Sequence, residues 1–391
     1  MPSGPLLEAG YGVQAHHLLP RLRDQLSHDV AQHAWYGLKG AQIAIDGMPI
    51  YPGYQDDFGN DICGQHARHF GADLVITLID IWTHSPGFNR SLGGIPWAPW
   101  APVDCQPAPP PVIVRAREAE YPLQYSQFGM QMMADAGISC TYVPHGVATE
   151  IFRPGDKRAA RAELGLPQEA FLCSMVAANQ GQPSRKAFAE NLSAFARFRG
   201  RHPEAALYLH TTRRPRDGVH LEALLESLGI PDNAVSWVDQ YAQVLGLGED
   251  YMAQVYQASD VLLAASCAEG FGLPLIESQA CGTPVITTAF SAMSELTVNG
   301  ITTEPVQLQW SPLGAWQAVP SVVAIGVALE TIYRWGTKEQ ARHAEAGRKF
   351  VVENFDWDHV IATVWKDFLT RVEAECAIRS RRNQVREVVP A

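Results

Sequence analysis

The sequence predicts an α/β protein built from two doubly wound domains, each a parallel sheet covered by helices. Three observations carry that prediction. At 391 residues the chain exceeds the roughly 250–300 at which one hydrophobic core gives way to two. Its second half alternates short apolar runs rich in β-formers with segments of helical spacing. One of those runs leads into a two-glycine turn and then a helix, which is where parallel sheets hold their ligands.

Taken in order, the chain begins awkwardly. A doubly wound domain normally opens on a buried strand and a glycine turn. Here Gly10-Tyr11-Gly12 follows nine residues of poor strand material. The first strand is therefore either very short, at Leu6-Leu7, or omitted by this start, and omission is the preferred reading. Asp73–Ile79 and Ser139–Val143 read as buried strands. Between them Pro86–Pro111, rich in Pro, Gly and Trp, predicts loops around one short strand near Val103. Trp82, Trp97 and Trp100 supply apolar surface there, in the core more often than against a ligand. His145-Gly146 and Pro154-Gly155 break local order and place the join between halves.

Beyond the join, strands are predicted at Phe171–Ala177, Ala206–His210, Val235–Val238, Val261–Ala265 and Pro284–Thr287. Helices separate them at Ala187–Arg199, Leu221–Leu228, Asp250–Ala258 and Leu273–Ala280. A last helical segment from Asp356 to about Val372 carries Val360, Val364, Trp365 and Phe368 on one face. It can pack across both halves. The expected division is residues 1–150, 151–356 and a returning tail at 357–391.

Composition excludes several classes. Thirty basic against 41 acidic residues leave a formal charge of −11, which argues against a nucleic-acid binder that must neutralise many phosphates. The one basic cluster, Arg379, Arg381 and Arg382, reads as a solvated tail, with peripheral contact to anionic lipid as the alternative. No apolar run approaches the ~20 residues that span a bilayer, and no signal-peptide pattern opens the chain. Seven scattered cysteines without a CxxC pair predict reduced thiols in a cytoplasmic protein.

The most specific feature is Glu269-Gly270-Phe271-Gly272-Leu273-Pro274-Leu275-Ile276-Glu277. Gly270 and Gly272 permit a tight turn with close backbone approach, and Pro274 suits a first helical turn. The amides of Phe271, Gly272 and Leu273 would then form an anion site suited to a diphosphate. Two glutamates eight positions apart bracket it. A carboxylate beside a phosphate is repulsive unless it has another duty. Glu277 is expected to accept from ribose hydroxyls, and Glu269 to hold sugar hydroxyls or balance charge at an anomeric centre.

On these residues the chain resembles the family 4 retaining glycosyltransferases, which have the GT-B fold of two Rossmann-like domains facing across a cleft. The likeness extends to VPHGVATEIFRP as the interdomain segment, SRKAFAENLSAFARF as the phosphate-site helix, and NFDWDHVIATVWKDFL as the helix that crosses back. It implies a nucleotide-diphosphate sugar donor in the second domain, with Arg185 and Lys186 as diphosphate ligands, and an acceptor in the first: a glycan, a lipid or another hydroxyl compound. Fixed cations there would stabilise the charge that builds on the leaving oxygen. Gln180 stands where many members carry a further basic residue. Gly10 and Gly12 resemble the family's glycine loop facing the donor phosphates. Glu295 resembles an acidic donor-side position. His84 and Asp104, each after a strand, are candidates for positioning the acceptor.

The expected reaction is transfer of a mannose- or glucose-type hexose with retention, the leaving phosphate oxygen taking the acceptor's proton. No acidic pair of metal-binding type follows a strand, since Asp56-Asp57 reads as a turn. Neither a divalent metal nor a cofactor is therefore expected. The competing readings are a GT-B nucleotide-sugar epimerase or phosphorylase, and a non-catalytic nucleotide-sugar-binding protein.

Overall fold

The computed structural model describes residues 10–181 and 183–387. The Leu6-Leu7 strand and the side chains of Arg379, Arg381 and Arg382 lie outside what it describes. The described chain opens on a helix, Gly10–Asp24. Strands β1 (Gln32–Lys39), β2 (Ile43–Ile45) and β3 (Met48–Gly53) follow as a small sheet in the order β1-β3-β2. The sequence reading did not anticipate them. Their buried positions include Gln32, Ala34, Ile50 and Tyr51, with His33 and Trp35 half-buried beside them, instead of a plain aliphatic alternation.

Strands β4 (Val75–Leu78), β5 (Trp97–Ala101), β6 (Leu123–Gln124) and β7 (Thr141–Tyr142) form a parallel sheet in sequence order. The strand expected near Val103 is β5, several residues earlier, and it is an inner strand, buried along its whole length. Pro99 had argued against this. However, β6 pairs with β5 only at Trp100 and Ala101, so the amide Pro99 lacks falls at the start of a two-residue partner and costs the ladder little. Trp97 and Trp100 are fully buried. Their indoles are satisfied, Trp97 by Thr77 Oγ1 at 3.0 Å and Trp100 by the Val143 carbonyl at 2.7 Å. Trp82 is 42% exposed. Both β1 and β4 are edge strands of their sheets, and between them lies a cavity of about 670 Å³ lined by Gln32, His33, Trp35, Val75, Thr77 and His84 among others.

The second sheet is larger and entirely parallel. Strands β8 (Leu172–Val176), β9 (Ala206–His210), β10 (Val235–Trp237), β11 (Val261–Leu263), β12 (Val285–Thr288) and β13 (Ile301–Thr303) lie in the order β10-β9-β8-β11-β12-β13. The first five match the expected strands; β13, only three residues long, was not anticipated. Leu172, Val261 and Ile286 are fully buried, as the centre of a sheet covered on both faces requires. The order reverses direction between β8 and β11. Loops leaving these two neighbours diverge to opposite sides, and the crevice between them is the ligand position of a doubly wound sheet.

Three connections tie the halves together. Val147 bridges Asp356, with the Val147 amide donating to the Phe355 carbonyl at 2.8 Å, so outgoing and returning chains cross side by side. Gly146 is required there, because a Cβ would lie 2.3 Å from the Trp357 ring. The final helix, Lys366–Glu387, packs on the first half. Trp365, just before it, meets Trp100 edge-on at 5.0 Å, and Tyr121 donates to Glu375 at 2.8 Å. In addition a hairpin of β14 (Gln307–Trp310) and β15 (Trp316–Val319) reaches from the second half to Gln106 of the first, pairing through Trp316. Among the described residues no helix is long and apolar enough to cross a membrane.

Candidate active site

The crevice between β8 and β11 holds the predicted motif. The helix Leu273–Ala280 starts with Gly272 at φ +109°, a conformation that favours glycine, and with Pro274 in its first turn. Gly270 faces the first domain. A Cβ there would sit 2.3 Å from Pro102 Cβ, so glycine lets the turn touch the loop after β5. The Phe271 side chain is buried against His145 and Phe355 and serves as core. Only its backbone remains available to an anion.

Arg185 and Lys186 lie on the loop after β8. The Cys267 amide donates to the Arg185 carbonyl at 2.8 Å, which fastens this loop to the one after β11. Ala187, next in line, has φ +49° and precedes the helix Phe188–Arg199; Ser291, at φ +52°, accepts from the Glu269 amide. These are two of the four non-glycine residues at positive φ among those described. Such strain persists only where the surroundings over-determine it, and here it holds the ends of one charged cluster.

That cluster is compact. Lys186 Nζ lies 2.6 Å from Glu269 Oε1, Arg185 Nη1 lies 3.1 Å from Oε2, and the same guanidinium is 3.6 Å from Asp104 across the cleft. Burial alone would push the Glu269 pKa up, but Lys186 and then Arg185 outweigh it and hold it at about 2. Burial lowers the pKa of Lys186, offset in part by Glu269. Arg185 stays charged: burial opposes it, while Glu269 and Asp104 more than compensate. The site thus fixes two cations and one carboxylate within a few ångströms at a helix N-terminus.

Glu277, one turn into that helix, is half-buried and accepts from the Tyr256 hydroxyl at 2.7 Å. Burial lifts its pKa to about 7 despite this bond. Asn179, fully occupied with the backbone of Thr212 and Val219, pins two loops, and its neighbour Gln180 is exposed.

The first domain contributes a wall that the sequence only partly revealed. Tyr11, Asp80, Asp104 and Tyr125 converge from the first helix and the ends of β4, β5 and β6. Tyr11 is hydrogen-bonded to Tyr125, which donates to the Trp100 carbonyl at 2.8 Å. Burial and then the Asp104 charge raise the Asp80 pKa to about 6, against the pull of Arg185. The carboxylate of Asp80 also accepts from the Trp82 indole. Its position at a strand's carboxyl end was the available signal.

Three expectations require correction. Gly10 and Gly12 are not in a loop but in the first helical turn; Gly10 faces Leu273, whose Cδ1 would be 3.5 Å from an added Cβ. At Gly10 the first helix thus lies in ordinary contact with the motif helix. Glu295 does not face the donor crevice. Its two oxygens accept from the Gln127 and Phe128 amides at 2.9 and 3.0 Å, capping the first-domain helix Gln127–Asp135 across the interface. His84 does not join Asp104. It is buried between Phe88 and Trp97, bonded through Nδ1 to Asn60 at 3.3 Å, and burial pushes its pKa down to about 4.

Comparison with known proteins agrees with this geometry. A family model described as Glycosyl transferases group 1 matches residues 174–309. The D-inositol 3-phosphate glycosyltransferase of Segniliparus rotundus is 33% identical over 220 residues, 55% of this chain and 43% of that protein. The enzyme of that name from Stackebrandtia nassauensis is 38% identical over 167 residues, 41% and 35% of the two chains. The chain thus spans less than half the length of these curated relatives. Among solved structures, sucrose-phosphate synthase from Thermosynechococcus elongatus superposes with a TM-score of 0.75 at 18% identity, covering 94% of each chain. HepE of Anabaena, in complex with UDP and glucose, gives 0.69 at 16%, covering 95% of this chain and 98% of its own. The overall fold is accordingly GT-B, and the segment matched by the Glycosyl transferases group 1 model holds the charged cluster.

Proposed function

We propose that this protein is a retaining glycosyltransferase that moves a mannose- or glucose-type hexose from a nucleotide-diphosphate sugar to an acceptor hydroxyl. The observation that carries this is the Glu269 carboxylate held by Arg185 and Lys186 at the switch point of the second sheet. The diphosphate lies on the amides that open the helix Leu273–Ala280, and Arg185 and Lys186 neutralise it. The bond from the anomeric carbon to the β-phosphate oxygen breaks, and the two cations stabilise the charge that develops on that oxygen. The acceptor oxygen bonds to the anomeric carbon on the same face, and its proton passes to the departing phosphate oxygen. Glu269 orients the hexose hydroxyls and balances charge at the anomeric carbon. Glu277 accepts from the ribose. Because side chains supply the positive charge, the reaction needs no divalent metal. UDP bound by HepE, on the same fold, favours a uridine donor.

The test is turnover of a panel of UDP- and GDP-hexoses, with and without hydroxyl acceptors and with chelator present. Transfer from one donor, unaffected by chelation, is expected. Epimerised donor without transfer, or nucleotide binding without turnover, would overturn the reading.

A further inference from the structure

The acceptor wall differs in charge from the donor wall, and this difference bears on what the enzyme glycosylates. The inference rests on the transferase reading above. Opposite Glu269 the first domain presents two carboxyls, Asp80 and Asp104, and two phenols, Tyr11 and Tyr125. It adds no cation to this cluster. Among the described residues, Arg115 is held by Glu118, Arg117 by the Ala136 carbonyl, Arg68 by the Ser91 carbonyl, and Arg21 by Asp358. His145 lies behind Tyr125 and Phe271, and burial drives its pKa to about 3, so it is neutral. Among the described residues the cation that acts on both Asp80 and Asp104 is Arg185, from the donor side, and a bound diphosphate claims it. At the edge of this wall the Trp82 ring is exposed, while its N–H is committed to Asp80. A ring face beside acceptor-rich polar groups suits a polyhydroxy ring, whose C–H edges stack and whose hydroxyls donate.

We infer that the acceptor is a neutral polyhydroxy ring, a sugar or cyclitol without phosphate or carboxylate, which stacks on Trp82 and donates its hydroxyls to Asp80 and Asp104. An anionic group on that ring would meet two carboxyls with no compensating cation.

The experiment compares matched acceptors, each neutral ring beside its own phosphate ester: myo-inositol with inositol 3-phosphate, and glucose and fructose with their 6-phosphates. Donor is saturating, and kcat/KM is read for each. The neutral member of a used pair is expected to be favoured by about tenfold or more. Asp80→Asn and Asp104→Asn should move the ratio of kcat/KM within a pair toward the phosphate ester, a change that general damage to the protein would not produce. Trp82→Ala should raise KM for the neutral member more than it lowers kcat. Calorimetry on the UDP-saturated enzyme supplies a readout independent of turnover: glucose 6-phosphate should not bind the wild type. Preference for the ester, or its binding at micromolar concentration, overturns the inference and leaves the transferase intact. Failure to turn over any donor overturns both.

Discussion

The two walls of the cleft are made in different ways. On the second domain the working groups fall in two short segments, 185–186 and 269–277, on loops that leave adjacent strands of one sheet. On the first domain Tyr11, Asp80, Asp104 and Tyr125 come from four separate elements and meet only in the folded chain. The donor wall is built from two compact motifs that set two cations beside one carboxylate. The acceptor wall is gathered one residue at a time from separate elements, and it presents carboxyls and phenols. A domain that must hold a common diphosphate can keep a fixed motif, whereas one that must distinguish acceptors draws on many strand ends.

Substitutions should reveal this contrast in descending order. The largest effect belongs to the donor cluster. Glu269→Ala leaves Arg185 and Lys186 without their nearest carboxylate, and kcat should fall by roughly a hundred- to a thousandfold, read as nucleotide release from saturating donor. Gly270→Ala attacks the contact between walls. Its methyl would meet Pro102, hold the domains apart, and lower kcat/KM by about tenfold or more, with far-ultraviolet circular dichroism unchanged.

Next comes pH. Glu277 is pushed from 4.5 to about 7, so the native state holds more protons than the unfolded chain between those values. Its contribution to stability is therefore lost as pH rises through that window, and nothing further is lost above it. Ribose hydroxyls need the ionised form as acceptor. Nucleotide affinity should thus strengthen by about tenfold between roughly pH 6 and pH 8, and Glu277→Gln should flatten that slope in calorimetric titrations. The smallest effect is expected at Glu295→Ala, which removes the cap that the second domain places on a first-domain helix. A loss of about 1 kcal/mol in denaturant unfolding is the expected size.

The same contrast explains what the sequence disclosed. The strands β8 to β12 and the helix Leu273–Ala280 were legible because each is a short apolar run or a glycine-proline start whose period is local. The interior strand β5 was misplaced, since Pro99 signals an edge and only the short β6 shows why it is tolerated. The hairpin at Gln307–Val319 was not anticipated, and its bridge from Trp316 to Gln106 joins positions some two hundred residues apart. Glu295 was marked as a donor-side acid, and nothing local shows that its carboxylate reaches across to another domain's helix. Tyr11, Asp80 and Tyr125 were passed over as site residues for a related reason. A phenol or carboxyl near a strand end gains meaning only from what faces it across the cleft.

The most direct test of the account is nucleoside diphosphate release from UDP- and GDP-hexoses by the wild type beside Lys186→Ala. Turnover of one donor by the wild type, reduced at least about a hundredfold in the variant with the fold intact, is the predicted result. Equal turnover in both proteins would mean that the cluster after β8 and β11 does not carry the chemistry.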